Sequence, residues 1–187
     1  EFDFGPVGPA ATIEKNGDDP RGALKARAAQ AEFPLLAANI KSAKRPNFRF
    51  PLGPQVAPST LVTVDGVKVG IIGVTTIDTP YVTLPENFKS LIITDLVEAI
   101  TTEAKLLRKK GGTLIVAVVH AGGECSEFGE PMDLGSCKSD SELFEVVSKL
   151  SKDDINVVVG GHTHSGIAHR VSGIPVIESF AKGRAFG

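Results

Sequence analysis

Tryptophan is absent from this 187-residue chain, tyrosine and methionine occur once each, and cysteine occurs only twice. So few cysteines exclude a disulfide-stapled miniprotein, and the length allows one domain with a core that needs no staples. The charges nearly balance: 20 basic residues face 22 acidic ones, for a net charge of −2 at neutral pH. Without a block of lysine and arginine the chain has no footprint for a nucleic-acid polymer or a polybasic membrane anchor. No apolar run approaches the length of a spanning helix, about 20 residues, so no membrane span is expected. An initial methionine is missing as well, since the chain opens on Glu1 and its single methionine is Met132. That start reads as a processed or excised product and leaves no signal peptide to interpret.

What is present is an alternation of two apolar patterns, the mark of an α/β layer architecture. Residues 20–31 are rich in alanine, which favours helix, and lead into the continuously apolar residues 33–39, read as a buried strand. Residues 61–64 and 67–74 flank Asp65-Gly66, a dipeptide suited to the positive φ angles of a type I′ turn, so a hairpin is expected. A second hairpin is expected where residues 169–171 and 174–177 flank Ser172-Gly173. Between Asp95 and Lys110, Val97, Ile100, Ala104 and Leu107 share one helical face, and Gly111 follows two lysines. Residues 113–119 are apolar at nearly every position, which suits a strand buried on both faces. Ser139 and Glu142 have capping-box spacing ahead of the stripe Leu143, Val146, Val147 and Leu150. Residues 154–159 form the next buried strand and end in Gly160-Gly161. The proline-rich residues 41–59 are expected to be a surface connection, and residues 121–138 an irregular excursion.

Of the four histidines, three stand just after the two buried strands: His120 after Val119, and His162 and His164 after Gly160-Gly161. In open α/β sheets ligands gather beyond the carboxyl ends of strands, so these imidazoles can converge. Each alone reads as a hydrogen-bonded structural histidine; together, with glycines that let the backbone approach an ion, they read as a shared metal site. His169, on a hairpin strand, is taken as structural. Cys125 and Cys137 lie in the irregular excursion, where free buried thiols or a metal ligand at Cys125 are both open readings.

Val118-Val-His-Ala-Gly-Gly123, Val159-Gly-Gly-His-Thr-His164 and the leading Glu1-Phe-Asp3 resemble three signatures of the calcineurin-like metallophosphoesterases. Phe33-Pro-Leu-Leu-Ala-Ala-Asn-Ile40, Gly66-Val-Lys-Val-Gly-Ile-Ile-Gly-Val-Thr-Thr76 and the segment from Ile174 to Gly187 narrow the resemblance to the 5′-nucleotidase branch. The resemblance implies a four-layer α/β/β/α domain with a two-metal centre, holding Zn, Mn or similar divalent ions, that hydrolyses phosphate monoesters. It makes His120 and His162 ligands of one metal and His164 of the other, and Asp3 the acidic residue that orients a catalytic histidine. It implies a nucleotide or other phosphate-ester substrate, a periplasmic or extracellular location, and a disulfide between Cys125 and Cys137.

The family's remaining ligands would precede Glu1, and its nucleotide-binding domain would follow Gly187. The resemblance therefore implies that residues 1–187 are the C-terminal part of the catalytic domain, lacking its N-terminal metal-ligand half. It also implies that this chain alone holds at most one ion, weakly, with negligible turnover; whether the missing half is a partner on a separate polypeptide or a further segment of the same one stays open. Asp18, Asp19, Asp65 and Asp78 sit in turn-like contexts and are not taken as the missing bridging carboxylate. The alternative is a non-catalytic module that binds a metal or a partner through the same loops.

Overall fold

Two tight turns and one long amphipathic helix frame the structure, a computed structural model that describes residues 5–7 and 17–187. Asp3 lies outside the described residues. Helix α1 (Gly22–Gln30) precedes three short strands, β1 (Leu35–Leu36), β2 (Ile40–Ser42) and β3 (Val56–Ala57). The hairpin β4 (Ser59–Val64) and β5 (Val67–Thr75) follows, then α2 (Pro85–Phe88), β6 (Leu91–Ile93) and α3 (Leu96–Lys109). Strand β7 (Leu114–His120), helix α4 (Glu142–Ser148), β8 (Val157–Val159) and the hairpin β9 (Gly166–Val171) and β10 (Ile174–Ser179) complete the order.

Both hairpins form where the turn dipeptides place them. Asp65 and Gly66 adopt φ 48° and 80° between the paired residues Val64 and Val67, and Ser172 and Gly173 adopt 51° and 81° between Val171 and Ile174. Positive φ at both central residues matches the right-handed twist of the flanking strands. Helix α3 starts at Asp95, whose side chain accepts a hydrogen bond from the Glu98 amide at 2.7 Å, and Gly111 at φ 90° lies just beyond its end.

Six strands make one sheet in the order β4-β5-β7-β8-β10-β9. The inner four run parallel, and each hairpin adds an antiparallel strand at an edge. Helices α3 and α4 bury Ile100, Ala104, Leu107, Leu143 and Val147 with Ile72, Ile115 and Val158 of the sheet. Two small ladders, β1 with β3 and β2 with β6, surround a second cluster built on Leu24, Ile40, Leu52, Val56 and Phe88. Against β5 the chain approaches so closely that a Cβ on Gly73 would lie 2.4 Å from that of Leu36. No helix among the described residues is long and apolar enough to cross a membrane.

Five local expectations change, the first being the strand read over residues 154–159, which is confined to Val157–Val159 with Val159 38% exposed. The apolar residues 33–39 do not form one strand: Leu35 and Leu36 pair with β3, and the chain then turns at the fully buried Asn39. The Asn39 side chain accepts from the Thr75 amide at 2.9 Å and donates to the Thr75 carbonyl at 2.7 Å, extending the edge of β5 like a ladder residue. Strand β7 is buried on alternate residues, with Val118 44% exposed, because helices cover only one of its faces well. The capping box is not made: α4 begins after Ser141, and Glu142 accepts from the Ile77 amide at 3.0 Å instead. Residues 41–59 are not wholly superficial, since Leu52 is buried and Arg49 pairs at 2.9 Å with Glu103, a buried carboxylate of α3 that also accepts from the Ser59 hydroxyl at 2.6 Å.

Candidate metal centre

Parallel strands end together, and the site follows from that register. Thr75 of β5 lies opposite His120 of β7, and Val118 of β7 lies opposite Val159 of β8. The residues leaving β7 and β8 therefore emerge side by side at the carboxyl edge, where neighbouring crossovers open a crevice. Gly161 donates to the Ala121 carbonyl at 3.3 Å, and Gly160 to the Ile177 carbonyl at 2.7 Å. A Cβ on Gly122 would sit 2.4 Å from both the Gly161 carbonyl oxygen and Thr163 Oγ1, so only glycine permits this crossing of the two loops.

The crossing aims the histidines. His162 and His164 both hold positive φ angles, 83° and 59°, with Thr163 between them. Left-handed backbone at a non-glycine residue costs on the order of 1–3 kcal/mol and persists only where its surroundings enforce it, as they do at ligand clamps. His162 Nδ1 lies 3.3 Å from His120 Nε2, with the rings 4.9 Å apart and tilted by 65°. With one ring nitrogen protonated, that separation is a ring N–H···N hydrogen bond whose donor depends on the tautomer. It equals the edge of a tetrahedron with metal–nitrogen distances of about 2.0–2.1 Å, roughly 3.3–3.4 Å, so the two nitrogens fit adjacent corners of one coordination sphere. His164 is exposed on the same loop and is not part of the 3.3 Å pair. A cavity of about 370 Å³ is lined by both paired imidazoles, by Thr75, Thr76 and Thr79, and by apolar side chains that include Leu36 and Val74.

No family model matches the chain. The fold is shared with calcineurin-like phosphoesterase YfkN from Bacillus subtilis, with a TM-score of 0.65 and 20% identity over 86% of this chain and 50% of that one. In sequence the chain is 30% identical over its whole length to endonuclease YhcR of Bacillus subtilis, and 30% identical over 138 residues to the 5′-nucleotidase of Rattus norvegicus. The chain belongs to the 5′-nucleotidase-type metallophosphoesterases. It spans 14% of the length of YhcR and 19% of that of the rat enzyme, so their whole activities do not transfer with the match.

Around the pair, this metallophosphoesterase chain uses residues that its motifs did not single out. Glu178 of β10 is 3% exposed, accepts from the Gly123 amide at 3.2 Å and from Thr163 Oγ1 at 2.7 Å. Its signal in the sequence is strand parity: it continues the buried series Ile174, Val176 as a carboxylate among apolar residues.

In the excursion after His120, Cys125 and Cys137 form a disulfide, twelve residues apart. The Cys125 amide donates to the Gly166 carbonyl at 3.3 Å, which fastens the excursion to β9. Lys138 pairs with Glu124, whose hydrogen bond and charge hold the ammonium above its ordinary pKa. His169 is buried on β9, with Nδ1 3.9 Å from Cys137 Sγ. Those two sulfurs and the His169 nitrogen lie within 4.8 Å of one another, but both sulfurs are spent in the S–S bond and neither is a thiolate ligand.

Proposed function

We propose that this chain supplies one side of a two-metal centre in a phosphate-ester hydrolase of the 5′-nucleotidase type, which converts a nucleotide to nucleoside and phosphate. The 3.3 Å approach of His120 Nε2 to His162 Nδ1 at the carboxyl ends of parallel strands carries the reading. In it, His120 and His162 hold one divalent ion, Zn, Mn or similar, and His164 belongs to a second. Such ions supply Lewis-acid charge that neutralises phosphoryl oxygens and activates water for in-line attack.

The chain's own residues fix the donors. To hold the ion, His120 and His162 would each turn a nitrogen lone pair toward it, and the glycines at 122 and 160 let their loops cross close enough for both to reach one point. Thr75, Thr76 and Thr79 line the adjoining cavity as a bonded group, Thr75 Oγ1 3.0 Å from Thr79 Oγ1 and Thr79 Oγ1 donating to the Thr76 carbonyl at 2.9 Å, and its apolar side chains suit the less polar part of a substrate. Residues 1–187 act in this reading as part of the catalytic domain, and Asp3 as the acidic residue that orients a catalytic histidine. Because the described residues bring only two imidazoles together, the 187-residue chain by itself is expected to hold one ion weakly and to turn over negligibly. The disulfide supports a periplasmic or extracellular location, where such bonds persist.

The experiment is phosphate release from a nucleoside monophosphate by the full-length protein, with and without a chelator, and with His162→Ala. Loss of turnover on chelation, restored by Zn²⁺ or Mn²⁺, and loss in the variant are expected. Turnover that survives both removes the reading.

A further inference from the structure

Glu178 is a buried carboxylate that no part of the proposed chemistry uses. The residues before it on the same strand face, Ile174 and Val176, are apolar and 1% exposed, so sheet packing does not call for a charge there. No ion pair among the described residues includes it. Burying a carboxylate without a counter-ion costs several kcal/mol unless hydrogen bonds compensate, so the bonds it makes indicate what it is for.

Those bonds join two loops. Glu178 Oε2 accepts from the amide of Gly123, three residues after His120, and Oε1 lies 2.7 Å from the hydroxyl of Thr163, the residue between His162 and His164. The Thr163 hydroxyl lies 2.7 Å from the Gly123 carbonyl oxygen too and shares its one proton between the two acceptors, which closes a three-membered bracket of Glu178, Gly123 and Thr163. A Cβ on Gly122 would meet Glu178 Oε2 at 2.8 Å, so the carboxyl group occupies the space that the glycine leaves. We infer that Glu178 is a positioning residue that locks the His120 loop to the His162 loop and so sets the separation of the two ligand nitrogens. The inference rests on the metal-holding reading of His120 and His162.

Glutamine at this position keeps the bracket: its oxygen accepts from Gly123, and its amide donates to Thr163 Oγ1, leaving the hydroxyl proton for the Gly123 carbonyl. Charge is lost and geometry retained, so the conservative variant separates positioning from electrostatics. Glu178→Val and Thr163→Val each break the bracket at nearly constant volume, and the second needs no change in the sheet if the first fails to fold.

The test uses the full-length protein, with two readouts. The dissociation constant for Zn²⁺ alone is measured by calorimetry, and amide hydrogen exchange of the metal-free protein is followed at Gly123, at Thr163 and, as reference, at Ile72 in β5. Both valine variants are expected to weaken Zn²⁺ binding about 10–100-fold, the scale of lost outer-shell partners, with faster exchange at Gly123 and Thr163 and unchanged exchange at Ile72. Glu178→Gln is expected to stay within about threefold of wild type. Unchanged exchange at both loops, a rise that spreads equally to Ile72, or a glutamine variant as weak as the valine one overturns the inference. Wild-type protein whose Zn²⁺ binding is indifferent to His120→Ala and His162→Ala instead removes the underlying metal assignment, and the exchange data then judge the bracket alone.

Discussion

Gly122 and Gly161 form a matched pair of positions for a steric test. Both lie at the loop crossing behind the histidines, and neither has a left-handed φ, so alanine meets no backbone strain at either. A methyl group on Gly161 has nothing within 4 Å, whereas one on Gly122 falls 2.4 Å from the Gly161 oxygen, 2.4 Å from Thr163 Oγ1 and 2.8 Å from Glu178 Oε2. Ordinary contact needs a separation near 3.4 Å, so the loops must part by about 1 Å at a place where all three crowding atoms are held by hydrogen bonds. Overpacking of this kind costs about 1–3 kcal/mol of stability. A displacement of about 1 Å in a positioned functional group costs on the order of 100-fold in what depends on it. Gly122→Ala is therefore expected to lose stability by that amount in urea denaturation and to weaken Zn²⁺ binding strongly by calorimetry, while Gly161→Ala stays near wild type in both. Equal behaviour of the two variants would refute the claim that the crossing sets the ligand geometry.

Two further outcomes follow from separate parts of the molecule. Replacing Cys125 and Cys137 by serine is expected to cost about 3 kcal/mol from the entropy of the 12-residue separation, read from denaturation midpoints, and native protein should offer no alkylatable thiol by mass spectrometry. Glu103→Ala removes the acceptor shared by Arg49 and Ser59; because Arg49 is 44% exposed and regains water, the loss is expected at about 1–3 kcal/mol, with faster proteolysis within residues 41–59.

How much the sequence disclosed depended on how local the cause was. Asp65-Gly66 and Ser172-Gly173 form their turns because positive φ is a property of those residues, and α3 runs between its Asp95 cap and Gly111 for equally local reasons. The Ser139 and Glu142 spacing misled because a distant partner, the Ile77 amide, takes the Glu142 carboxylate. Residues 33–39 look like one strand by hydropathy, but the amide of Asn39 finds both ladder partners on Thr75 and turns the chain. At the site, the approach of His120 and His162 was legible because strand ends collect ligands. Glu178 and Thr163 were not, because their function exists only once β10 lies beside β8.

The most direct measurement is anomalous diffraction at the zinc edge from crystals of the full-length protein grown with Zn²⁺. The geometry predicts an ion within about 2.0–2.1 Å of both His120 Nε2 and His162 Nδ1. Zinc bound elsewhere, with these two nitrogens joined only by a hydrogen bond or a water, would contradict it.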